Sequence, residues 1–236
     1  MARNRFREER TIITDGINTT ARVPVCLCLD VSGSMQGHPI NELNAGVRLF
    51  YDAVRNDERT VSAVDIAIVT FGGNSEAKCV QDFSQLWEVS TPPTLTASGL
   101  TPMGEGVMLA LDMLEARKEY YKKSAYEYWQ PWLILMSDGK PEPPNENLIA
   151  RTASRISVML SAKKLFMFAV GIGGNADWNA LSRFSPNRPP LKLKGLDFPK
   201  FFEWLHASLK GPSERRPGES VELPSPEGWA EPWRTL

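Results

Sequence analysis

Two stretches of the chain are apolar at almost every position, and each ends in a carboxylate. Val25-Cys26-Leu27-Cys28-Leu29 runs into Asp30-Val31-Ser32-Gly33-Ser34-Met35, and Trp132-Leu133-Ile134-Leu135-Met136 runs into Ser137-Asp138-Gly139. Continuous rather than alternating hydrophobicity is the pattern of a strand buried on both faces, as at the centre of a parallel sheet. Elsewhere apolar residues recur at helical spacing: Ile40, Leu43, Val47, Phe50 and Val54; Met103, Val107, Ala110, Leu111 and Leu114; Ile149, Ala153, Ile156 and Leu160; and Phe198, Phe202, Leu205 and Leu209. Further strands are expected over Val61 to Phe71, Ala77 to Phe83, Leu165 to Val170 and Leu191 to Leu193. Gly72-Gly73-Asn74-Ser75 joins the first two of these as a hairpin, which makes one edge strand antiparallel. Strands alternating with helices predict a doubly wound α/β sandwich, a mostly parallel sheet flanked by helices with one antiparallel edge strand.

The pattern also divides the chain. Residues 1–21 are polar and without a period, an N-terminal arm; residues 22–210 carry the alternating elements. Five prolines fall within residues 211–236 in a polar setting, which predicts a non-globular tail. Inside that tail Trp229 and Trp233 stand among prolines, and an indole gains by leaving water. Docking is therefore expected, either on this protein's own body as a strap or on a partner as a recognition peptide. A hydrophobic content of 42% with 23% charged residues is that of an ordinary globular chain, and a net charge of -1 gives no general attraction to nucleic acid or membrane. The charged start, residues 1–10, is followed by no apolar core of a secretory signal, and no run approaches the ~18 apolar residues of a membrane span. Cys26 and Cys28 share one strand face with Cys79 far off, an odd set of thiols that reads as reduced and cytoplasmic.

The chemistry gathers at the strand ends. Asp30, Ser32 and Ser34 offer oxygen at alternate residues, where ligands bind in open α/β sheets. Oxygen donors suit Mg²⁺, Mn²⁺ or Ca²⁺ and poorly suit zinc. The same residues also form ordinary turns, so Asp-x-Ser-x-Ser alone decides nothing. Two distant features change that: Ser98-Gly99-Leu100-Thr101-Pro102-Met103-Gly104 sets Thr101 before a helix, and Asp138 ends the second apolar strand. In this order and context the chain resembles the von Willebrand factor A (VWA) domain over roughly residues 22 to 210, with its metal-ion-dependent adhesion site (MIDAS). The resemblance implies hydroxyl ligands from Ser32, Ser34 and Thr101, with Asp30 and Asp138 holding Mg²⁺ (or Mn²⁺ or Ca²⁺) directly or through water. The wording of residues 93–101, Pro-Thr-Leu-Thr-Ala-Ser-Gly-Leu-Thr, is similar to bacterial TerY/YegL-like stand-alone proteins. That likeness implies a tellurium-resistance, stress-response or defence setting and a protein kinase or PP2C-type phosphatase as partner. Some such relatives carry a cysteine-rich zinc-binding extension; a tail without cysteine leads us to expect none here.

Enzyme readings fare less well. A metal-dependent phosphatase-type hydrolase could use Asp30 as nucleophile, yet the position two residues on, where such enzymes hold a second aspartate, is Ser32. His38 and His206 lie on unrelated segments without a nucleophile and carboxylate beside them. Gly171-Ile172-Gly173-Gly174-Asn175-Ala176 formally matches a dinucleotide fingerprint, but a short helix from Asp177 fits a tight strand exit better. The Tyr- and Lys-rich stretch 120–129 reads as a solvated helix end with its aromatics packed on the body. The expectation is thus a non-enzymatic module whose metal ion takes an Asp or Glu from a protein partner, across residues 32–37, 99–103 and 138–142. Met35, Gly99, Leu100 and Gly139 are the expected contacts beside the ion, with Trp229 and Trp233 in the tail.

Overall fold

The computed structural model describes residues 20–89, 91–217 and 219–232. Its centre is β1, Val23–Val31, all nine residues of which are buried. A strand apolar on both faces must be covered on both, and β1 pairs in parallel with β2 (Val64–Gly72) on one side and β4 (Trp132–Ser137) on the other. β4 pairs in parallel with β5 (Phe166–Gly171), and β5 with β6 (Leu191–Leu193). β3 (Glu76–Gln85) runs antiparallel to β2, and β7 (Ala230–Pro232) antiparallel to β6, giving the order β3-β2-β1-β4-β5-β6-β7. The direction of winding reverses between β1 and β4, and the carboxyl ends of these two strands carry the predicted ligands.

The alternation of side chains along β1 sends Val25, Leu27 and Leu29 to one face and Cys26 and Cys28 to the other. Over the first face lie α1 (His38–Arg55), α2 (Glu58–Ala63) and α6 (Phe198–Glu214); over the second lie α3 (Met103–Lys123), α4 (Glu146–Ser161) and α5 (Trp178–Phe184). Helices α1 and α6 approach closely because residue 46 has no side chain: a Cβ there would lie 2.7 Å from the Phe202 ring. Of the aromatic stretch, Tyr120 is exposed, while Tyr121 is buried and donates to Asp65, which also accepts from Arg117 at 2.6 Å.

Two expectations are corrected, and a third is met with an addition. The strand expected from Val61 starts at Val64, because the Asp57 side chain accepts from the backbone of Arg59 and Thr60 and caps α2 over the β-branched residues. The antiparallel edge strand expected from the hairpin is β3, but the tail adds β7 at the opposite edge. The segment from 211 on is not the non-globular tail expected from its prolines: α6 continues to Glu214 through Pro212, and Val221 and Leu223 pack on the core before β7. Of the N-terminal arm, residues 1–19 lie outside the described residues. Arg22, just beyond it, is buried, with its backbone paired to Glu127 and Trp129.

The tail closes as a strap on α6. Trp229 is 1% exposed, its ring 4.9 Å from Phe201 and 5.1 Å from Trp204, and Trp204 Nε1 donates to the Pro224 carbonyl at 2.9 Å. Trp229→Ala is expected to lower the unfolding free energy by about 3–5 kcal/mol, the range for emptying a buried tryptophan site. Urea denaturation followed by circular dichroism reads this, and an unchanged midpoint would show that the strap adds nothing to the core.

Candidate metal centre

Asp30 is the last residue but one of β1 and is fully buried. Its Oδ1 accepts the Ser32 backbone N–H at 2.9 Å, and its Oδ2 accepts the Ser137 hydroxyl at 2.5 Å, so one carboxylate closes its own loop and ties β1 to β4. Ser34 Oγ donates to Asp138 Oδ1 at 2.7 Å and lies 3.1 Å from Ser32 Oγ. Gly139 sits against the remaining hydroxyl: a Cβ at this position would lie 3.7 Å from Thr101 Oγ1 and 3.9 Å from Ser34 Oγ. All five predicted oxygen-bearing residues therefore converge on one patch.

Thr101 reaches that patch from a loop without regular structure, and the loop is pinned along its length. The Asn44 side chain on α1 both donates to and accepts from the Leu95 backbone, at 2.9 and 2.8 Å. Ser98 N donates to Val31 O and Gly33 N to Gly99 O, both at 2.9 Å, while Thr101 and Glu142 exchange backbone hydrogen bonds at 3.0 and 2.8 Å. Two glycines make this closeness possible. Gly99 has φ +74, and a Cβ there would lie 2.0 Å from Gly73 O; Gly72 has φ +127, with Ser32 N 2.4 Å from its would-be Cβ.

The charge balance favours a cation. Burial pushes the Asp30 carboxyl up to about 6, against the hydrogen bonds from Ser137 and Ser32 that oppose the rise. Burial raises Asp138 as well, although Ser34 donates to it. Among the described residues neither carboxylate enters an ion pair. Two carboxylates and three hydroxyls are hard donors for an ion of the Mg²⁺ class, and no group of three His, Cys, Asp or Glu side chains able to hold a metal occurs among the described residues.

The expected partner contacts separate on exposure. Gly99 is exposed, Leu100 is 41% exposed and Gly139 is partly exposed. Met35 is corrected: its side chain is fully buried and packs into the core beneath the loop. Trp229 is corrected likewise, since its indole is held inside the protein by Phe201 and Trp204. Trp233 lies outside the described residues. Ser137 escaped assignment from the sequence, although its place directly before the strand-end carboxylate was the available signal. The pairing of Leu29 with Met136 puts the following residues of both strands side by side.

Other candidate chemistry dissolves. His206 Nε2 lies 3.3 Å from Thr60 Oγ1 and 3.6 Å from Asp57, so hydroxyl and carboxylate share one nitrogen and no relay through the ring exists. His38 is exposed beside Glu42. Gly171 makes room for an indole, a Cβ there lying 2.3 Å from the Trp178 ring, and the helix that follows has only seven residues.

The sequence profile of the von Willebrand factor type A domain matches residues 25–191. Among curated proteins none matches the chain significantly. Solved structures share its fold at low identity. A von Willebrand factor type A protein from Catenulispora acidiphila superposes with TM-score 0.56 at 18% identity over 81% of this chain and 43% of its own. The pilus adhesin SpaC of Lactobacillus rhamnosus GG, in its open conformation, gives 0.59 at 15%, over 81% and 30%. Proximal thread matrix protein 1 of the mussel byssus, with a zinc-occupied MIDAS motif, gives 0.53 at 18%, over 80% and 46%. This chain thus covers less than half of each of these proteins.

Ser137→Ala strips a buried acceptor of its donor and is expected to cost about 1–3 kcal/mol of unfolding free energy. Ser34→Ala removes an exposed hydroxyl and is expected to leave stability in the absence of metal nearly unchanged. Equal losses in urea denaturation of the two variants would show that the Asp30–Ser137 contact is not what holds the strand ends together.

Proposed function

The chain belongs to the von Willebrand factor type A family, and from that membership we propose that it is a metal-dependent protein-interaction module rather than an enzyme. One observation carries the reading: Asp30, Ser32, Ser34, Thr101 and Asp138 meet at the switch point of the sheet, and among the described residues neither carboxylate enters an ion pair. Ser32, Ser34 and Thr101 would hold the ion by their hydroxyls, with Asp138 and Asp30 binding it directly or through water. The donor chemistry favours Mg²⁺, with Mn²⁺ or Ca²⁺ as alternatives; the zinc of the mussel protein's motif belongs to that protein. When bound, the ion supplies positive charge and a coordination position for an Asp or Glu from a protein partner. Exposed Gly99 and Leu100 and partly exposed Gly139 form the rim against which that partner would lie.

The hydrolase alternative meets an obstacle in Asp30. Both its oxygens are engaged and the side chain is buried, so it cannot approach a phosphorus atom as a nucleophile. The narrower TerY/YegL-like reading, with a kinase or PP2C-type phosphatase as partner in stress response or defence, rests on residues 93–101 alone. A cytoplasmic setting draws support from three free thiols, Cys26 and Cys28 buried and Cys79 exposed. No helix among the described residues is long and apolar enough to cross a membrane.

Mg²⁺ or Mn²⁺ at about a hundredfold excess over its dissociation constant is expected to raise the melting temperature by about 5–10 °C. Asp138→Ala and Thr101→Ala should each abolish that rise; a variant that keeps it removes its residue from the ion's shell. Capture of partners from native lysate on immobilised protein is expected to fail in chelator and return with added Mg²⁺. Retention unaffected by chelator would rule out the metal-bridged contact.

A further inference from the structure

We propose that a cavity at the opposite end of the sheet, around Arg188, is a second binding site, shaped for the C-terminal carboxylate of a polypeptide whose last residue is apolar. The cavity, of about 410 Å³, opens where β5 begins, between the end of α4 and the turn after α5. The charged side chains lining it are Lys163 and Arg188, both cations, and no carboxylate lines it. Leu160 and Phe166 supply apolar wall, and Asn187 a further polar group.

The guanidinium of Arg188 lies over two aromatic rings. Its central carbon lies 4.1 Å from the centroid of the Phe166 ring and 5.1 Å from that of Phe168. Its backbone is fixed by reciprocal bonds, Arg188 N to Ser185 O at 3.3 Å and Ser185 Oγ to Arg188 O at 2.8 Å, with Ser185 buried. Arg117, Arg155 and Arg183 each donate to a carboxylate. Among the described residues the Arg188 side chain has neither an ion pair nor a hydrogen-bond acceptor. Arg188 is exposed as a residue, and the partial burial of its guanidinium against the rings lowers its pKa.

A ring-stacked guanidinium keeps its fork of N–H donors for a planar oxyanion, which it binds through two parallel hydrogen bonds. A chain terminus carries its carboxylate and its last side chain on the same carbon. It can therefore meet the fork and the apolar wall together, whereas inorganic phosphate would use only the cations. The turn fixes the Arg188 backbone and the rings lie beneath its guanidinium, which reduces the entropy lost on ordering the fork.

The test is titration of the full chain with acetyl-Gly-Gly-Leu bearing a free carboxylate, and with its C-terminal amide, followed by the Arg Nε–Hε resonances in NMR. The free acid is expected to shift the Arg188 signal and to bind about tenfold or more tightly than the amide. Arg188→Gln should abolish binding, and Arg188→Lys should lose most of it, since an ammonium neither stacks nor forks. Melting temperatures of both variants establish that they fold. Binding should persist in chelator and in Asp138→Ala, which separates this site from the metal centre. Equal binding of acid and amide, binding undiminished in Arg188→Gln, inorganic phosphate binding as tightly as the peptide, or no shift at the limit of peptide solubility would each overturn the proposal.

Discussion

A single carboxylate stands where the two innermost strands end, and the rest of the molecule is arranged around the cost of putting it there. Asp30 is buried, and what holds it are a backbone N–H two residues on and a serine hydroxyl on the neighbouring strand. Neither donor carries charge, so the carboxylate is hydrogen-bonded but not neutralised, and its affinity for a proton rises. A residue in this condition is poorly explained by packing alone. In the proposed reading it is one half of a cation site whose other half is Asp138 and three hydroxyls.

Assembly depends on backbone contacts more than on the ligands themselves. Loops following β1, β2 and β3 come within van der Waals distance of one another, and glycines at 72 and 99 are what let them do so. Carbonyl-to-amide bonds from Val31 to Ser98 and from Gly99 to Gly33 lock the loops together, and Asn44 grips Leu95 from helix α1. The hydroxyl of Thr101 is thereby fixed before any ligand arrives, so an ion would meet donors already in place.

The two ends of the sheet carry opposite chemistry. Among the described residues, the carboxylates at the ends of β1 and β4 enter no ion pair, and the cavity at the amino end of β5 is lined by cations and no carboxylate. The strap holds the sheet's far edge between them. It pairs β7 on β6 and buries an indole against α6, which in turn packs closely on α1, the helix that leaves the metal loop. An edge left open would offer unpaired backbone to other chains, and three residues of β7 suffice to cover it.

Periodicity alone determined the alternation of strands and helices, because burial on both faces of a strand or along one stripe of a helix leaves its mark residue by residue. β1, β4 and the stripes of α1, α3, α4 and α6 were legible in this way, and so was the convergence of Asp30 and Asp138, since each follows an apolar run. Other features were decided by contacts between distant segments and left no periodic trace. Met35 looked like a surface neighbour of the ion, yet α1 folds back over it and buries it. Ser137 gained its role only when β4 lay beside β1, and Arg188 came to lie over two phenylalanines only when the turn after α5 folded back on β5. The proline-rich tail read as non-globular, able to order only by docking, because its composition cannot sustain a core of its own. It folds because α6 and the edge of β6 already present the apolar surface and the free backbone that its tryptophan and its last strand require.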